Sequence, residues 1–116
     1  MTIYHIAQRA DWESAVAAGE YHVSTRGRTV EQEGFIHAST ATQVTGVANA
    51  FFADVALADL VVLVIDPDRL TAPLRYDPVP GAPDPFPHIY GPLNVDAVVA
   101  TRELRRDSDD RHVFEA

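Results

Sequence analysis

Leu60-Val61-Val62-Leu63-Val64-Ile65, closed by Asp66-Pro67, is an unbroken run of six branched apolar residues. It is too short for a core helix, and its β-branched content favours a strand. A strand with no polar alternation is one buried on both faces, so the run reads as the interior strand of a sheet. Downstream, Asp66-Pro67-Asp68-Arg69-Leu70 reads as a turn and Leu74 to Tyr76 as a short strand. Pro78 to Pro87 holds five prolines and one glycine in ten residues, too restricted for helix and too poor in donors for a sheet interior. It reads as an ordered surface loop. Ala97 to Leu104 is a final strand, and from Arg105 a charged C-terminal tail, about 105–116, follows.

Upstream of the run, Thr2 to Ala7 is strand-like, and Asp11 stands as N-cap to a helix over 11–19 with Trp12, Ala15 and Val16 at helical spacing and Gly19 at its end. Ser24 to Glu33, centred on Arg26-Gly27-Arg28, reads as a surface loop. Gly34 then leads into a strand over Phe35 to Ala38. Thr40-Ala41-Thr42-Gln43 fits a capping box, and Val44, Val47, Ala48 and Phe51 form the apolar stripe of a second helix over 41–53. The expected fold class is α+β, one domain over 1–116, with a curved, largely antiparallel sheet and two main helices.

Composition narrows the chemistry. The 116 residues are 47% hydrophobic and carry a formal net charge of −8. Such a charge repels a phosphate backbone and disfavours broad nucleic-acid binding, although a local arginine patch can hold one small anion. All nine basic residues are arginine. With no cysteine there is no disulfide, no thiolate nucleophile and no cysteine-bound zinc. No basic segment followed by a long apolar one opens the chain, and no stretch approaches a membrane span, so the expectation is a cytoplasmic protein without membrane contact.

Three segments set histidine among apolar or aromatic residues: Tyr4-His5-Ile6, Gly34-Phe35-Ile36-His37-Ala38-Ser39-Thr40, and Phe86-Pro87-His88-Ile89-Tyr90-Gly91-Pro92. Imidazole donates, accepts and titrates near neutral pH, so three rigidly framed histidines point to a pocket assembled by the fold. His37 precedes Ser39 and Thr40 at a strand-to-helix junction that offers backbone N–H groups to an anion. Tyr90, two residues past His88, shares its face, and Phe35 and Tyr4 are the aromatic candidates for the wall. Each histidine also has a plain structural reading, as a satisfied core residue. No H-x-H or H-E-x-x-H spacing is present, so no metal is assigned, and His22 and His112 fall in segments that read as exposed. Ser39 lacks a G-x-S-x-G elbow, and no histidine has an evident orienting acid.

The same segments, with Asp66-Pro67-Asp68-Arg69-Leu70, resemble an uncharacterised bacterial family, domain of unknown function 952, from Ile3 to about Thr101. The resemblance implies a fold similar to the ADP-ribosyltransferases and RNA 2'-phosphotransferases, a split antiparallel sheet with NAD in its cleft. It places His5 against a ribose hydroxyl. At the third position of the site those relatives carry glutamate where this chain offers His88, and an imidazole cannot stabilise a ribosyl cation as a carboxylate does. Asp77 or Asp84 could lend one, though nothing in the sequence places either. Two readings therefore stand. In one, His5, His37 and His88 are catalytic toward NAD or a related phosphorylated nucleotide, Tyr4, Phe35, Ser39, Thr40, Arg75 and Tyr90 line the site, and Arg26, Arg28 or Arg75 receives phosphate. In the other, the chain is a non-catalytic small-ligand module.

Overall fold

In the computed structural model, which describes residues 1–116, strand β1 (Ile3–Gln8) runs directly into helix α1 (Arg9–Ala18). The N-cap is therefore Gln8 rather than Asp11, which lies in the first turn where its charge still meets the helix dipole. Gly19 ends α1 with φ 90°, a conformation open to glycine at little cost. After β2 (Glu20–Tyr21), the segment expected as a loop is structured. It forms a hairpin, β3 (Val23–Thr25) and β4 (Arg28–Thr29), and a one-turn helix, α2 (Val30–Glu33). Thr29 and Gln32 make the reciprocal capping box here, with Thr29 N–H donating to Gln32 Oε1 at 2.9 Å and Gln32 N–H to Thr29 Oγ1 at 3.2 Å.

Gly34 turns the chain into β5 (Ile36–His37). Helix α3 (Val44–Phe51) starts later than expected because only half of the Thr40 box forms: Thr40 N–H donates to Gln43 Oε1 at 2.9 Å, while the Thr40 hydroxyl pairs with Thr42. The remaining strands are β6 (Leu60–Ile65), β7 (Leu74–Asp77), β8 (Phe86–Ile89), β9 (Leu93–Asn94), β10 (Val98–Arg102), β11 (Arg105–Arg106) and β12 (His112–Val113). Pro87 lies inside β8, contrary to the loop reading. Its carbonyl accepts the Ala38 N–H at 3.0 Å, so the strand loses only the donor that proline lacks. The expected tail folds as well: β11 pairs with β12, and Leu104 and Phe114 are buried. No helix is long and apolar enough to cross a membrane.

Every strand pairing is antiparallel. One sheet has the order β1-β6-β10 and another β5-β8-β7. They meet at a single bridge, Tyr4 to Ser39, whose two backbone bonds measure 2.8 and 2.7 Å. Strand β6 carries a core on each face, as its uniform composition requires. Val61, Leu63 and Ile65 join Ile3, Ala15, Tyr21, Ile36 and Ile89 on one side. Leu60 and Val62 join Ile6, Val44, Ala48, Phe52 and Phe114 on the other.

His5 stands opposite Leu63 in the β1–β6 pairing and is buried. Both of its ring nitrogens are engaged: Nδ1–H donates to the His37 carbonyl and Nε2 accepts the Tyr21 hydroxyl at 2.8 Å. Burial pulls the imidazole down to about 4 from its ordinary 6.5, outweighing the carbonyl bond that favours its protonation.

Leu63→Ala removes a wholly buried side chain from the middle of β6 and should cost about 3 kcal/mol, read as a lower urea midpoint with an unchanged slope. A loss under roughly 1 kcal/mol would mean that this face of the strand is not part of the core. For His5, the unfolded chain binds a proton near pH 6.5 and the folded chain only near 4. Stability is full above 6.5 and about 3 kcal/mol of it drains away as pH falls to 4. Urea unfolding across this window should show a shallower fall in His5→Phe than in the parent, and identical slopes would contradict a buried neutral ring.

Candidate functional site

The bridge between the two sheets does not extend into a ladder. Past Tyr4 and Ser39 the strands part, and the next link is the His5 ring on the His37 carbonyl. A hollow of about 240 Å³ lies at this parting, and its walls include His5, His37 and His88. The hairpin contributes Ser24 and Thr25, α3 and its end contribute Val47, Phe51 and Phe52, and the proline-rich loop contributes Val79. Phe51, the last residue of the α3 stripe, is 60% exposed, an apolar ring left open at the mouth.

His88 is the best-positioned ring. In the β7–β8 pairing Asp77 faces Phe86, which leaves His88 on the diagonal, within side-chain reach. Nδ1–H of His88 donates to Asp77 Oδ2 at 2.8 Å, and the Tyr90 hydroxyl donates to the same oxygen. The Tyr90 hydroxyl, and then the His88 ring, hold the Asp77 carboxyl below the usual carboxylate range, so it is ionised at neutral pH. With Nδ1 donating, the lone pair resides on Nε2, which has no protein partner and is not sealed from solvent. Phe35 stacks on the ring at 4.1 Å and 22°, fixing its plane.

His37 stands directly opposite His88 in the β5–β8 pairing, their rings edge to face at 5.3 Å. Burial, then the neighbouring His88, push its imidazole below the ordinary value, with Glu33 at 3.7 Å pulling the other way. Its side chain remains 44% exposed.

The sequence-predicted residues divide. His5, His37, His88 and Ser39 line the hollow. Tyr4 does not: strand alternation turns it to the opposite face of β1, where its ring meets Phe114 at 5.2 Å. Phe35 and Tyr90 back His88 instead of forming the wall. Arg75 lies over the Tyr90 ring at 5.2 Å, away from the lining. Thr40 is spent on Gln43 and Thr42. Three of the N–H groups that follow His37 are already engaged, since Ala38 donates to Pro87, Ser39 to Tyr4 and Thr40 to Gln43. His5, with both nitrogens engaged, has none left for a ribose hydroxyl.

Two further expectations fail. Asp77 is the orienting acid the sequence did not reveal, because its place depends on how β7 and β8 register across the proline-rich loop. His112 is 1% exposed rather than on the surface, its Nε2–H shared between the Phe52 and Val55 carbonyls. His22 is half-exposed, between Glu31 and Glu20. No group of three or more His, Asp or Glu side chains is arranged to hold a metal ion.

The crystal structure of protein CC0527 from Caulobacter crescentus matches this chain with TM-score 0.81 and 32% identity, over 97% of this chain and 94% of that one. Its solution NMR structure matches with TM-score 0.74 and 33% identity, over 95% and 90%. No curated protein matches. Residues 6–101 match the family model described as protein of unknown function (DUF952), which spans most of the elements that build the hollow, and the chain belongs to that family.

Proposed function

We propose that the hollow receives the ring-bearing end of NAD or a related phosphorylated nucleotide, and that His88, oriented by Asp77, is the base that acts on it. One observation carries this reading: an imidazole whose tautomer is fixed by an ionised carboxylate presents an unpartnered Nε2 beside apolar walls. Such a nitrogen takes a proton from a hydroxyl or water held against it, and Asp77 then stabilises the charged ring that results. At about 240 Å³ the hollow holds a single ring with part of a sugar, so the remainder of a dinucleotide extends past Phe51 at the mouth. His37, neutral and half-exposed, is a second hydrogen-bonding group for the ligand. An ADP-ribosyltransferase-like split sheet accords with two antiparallel sheets joined at one bridge with a hollow where they part.

A second reading, a non-catalytic binding module, draws on a different observation. No aspartate or glutamate lines the hollow, so no carboxylate meets a ribosyl cation there.

Calorimetry with nicotinamide, NAD and ADP-ribose, paired with chromatography of NAD incubated with the protein, separates these readings. His37→Ala should keep the parental melting temperature within a few degrees and weaken nicotinamide and NAD binding about tenfold. Asp77→Asn should abolish any turnover while leaving ground-state binding nearly unchanged, since it alters the His88 tautomer. Binding without product from the parent protein establishes the module, and an absence of binding at millimolar ligand refutes the nucleotide assignment and leaves a binding module for another small ligand.

A further inference from the structure

No carboxylate or guanidinium lines the hollow. His5 and His37 are neutral near pH 7. A chain of net charge −8 also presents an unfavourable field to an anion. A phosphorylated ligand therefore needs a dedicated cation just outside the hollow.

Of the three arginines the sequence offers, Arg28 pairs with Glu33 at 2.9 Å and Arg75 stacks on Tyr90, and neither partner lines the hollow. Arg26 is different. It follows Thr25 at the tip of the β3–β4 hairpin, donates to the Phe51 carbonyl at 3.0 Å and lies 5.9 Å over the Phe52 ring. Thr25, Phe51 and Phe52 are all wall residues. Its guanidinium is thus fixed at the edge of the hollow by two contacts that a ligand need not disturb.

The third contact is exchangeable. Arg26 donates to both oxygens of Asp54, at 2.7 and 3.3 Å, and the Asp54 side chain is 72% exposed. An ion pair this open to water contributes little, and a phosphate offers the same planar fork more charge than a carboxylate does.

Resting on the nucleotide reading above, we propose that Arg26 is the phosphate anchor of the site and Asp54 the counter-ion that the phosphate displaces. The ligand class is then a heteroaromatic ring with its sugar inside and a phosphate at the mouth.

Nicotinamide riboside and nicotinamide mononucleotide differ by that phosphate and test the assignment by calorimetry at fixed ionic strength. The parent should bind the mononucleotide about tenfold more tightly than the riboside. Arg26→Ala should bind both at the riboside's affinity. Asp54→Asn, which leaves Arg26 and its backbone contact in place, should tighten the mononucleotide alone, so the assignment is testable even if Arg26→Ala fails to fold. Riboside binding with no gain from the phosphate, or a gain that survives Arg26→Ala, overturns the anchor and leaves the nucleotide reading standing. If neither ligand binds the parent, the nucleotide reading fails and the anchor with it.

Discussion

Two backbone hydrogen bonds between Tyr4 and Ser39 join the two three-stranded sheets of this protein, and they are the whole of the main-chain pairing between β1 and the strand that leads out of His37. Had the ladder continued, the space past the bridge would be filled by strand. Instead the backbone parts, and a side chain takes over: the His5 ring bonds the His37 carbonyl on one side and the Tyr21 hydroxyl on the other. A buried imidazole with both nitrogens engaged is a rigid spacer. It keeps the sheets coupled while leaving the hollow open between them.

This arrangement gives two of the histidines different work. His5 supports the gap from within the core, and its low proton affinity follows from burial. His88 belongs to the other sheet, where Asp77, Tyr90 and Phe35 fix it from behind. The supporting residues come from β7 and from the bends flanking β5 and β8, so the position of His88 depends both on sheet register and on the bends at the strand ends.

The features legible in the sequence are those written in local pattern. The 60–65 run is two-faced because it has no polar face to expose, and the stripe Val44, Val47, Ala48, Phe51 is helical because its spacing is. The three histidine segments announced themselves by rigid aromatic framing, and they do meet at one hollow. What sequence could not supply was set by pairing across distance. Asp77 reaches His88 only through the β7–β8 register, and strand alternation alone left open which of Tyr4 and His5 faces the hollow. Two local signals were also outweighed. The Thr29-x-x-Gln32 box lay inside a polar stretch that resembled a loop, and the charges of 105–111 obscured the apolar residues on either side of them.

Those flanking residues have a consequence for where the folding unit ends. The family match stops at residue 101, yet Leu104 and Phe114 complete the core beneath β1 and β6, and Asn49 of α3 clamps the His112 backbone from both its donor and its acceptor. The segment that defines the family by similarity is thus smaller than the one that closes its hydrophobic interior. Cut at that boundary, the chain would lose Leu104 and Phe114 from the core that α3 shares with β1 and β6, so a short, charge-dense C-terminal hairpin acts as the keel of the domain.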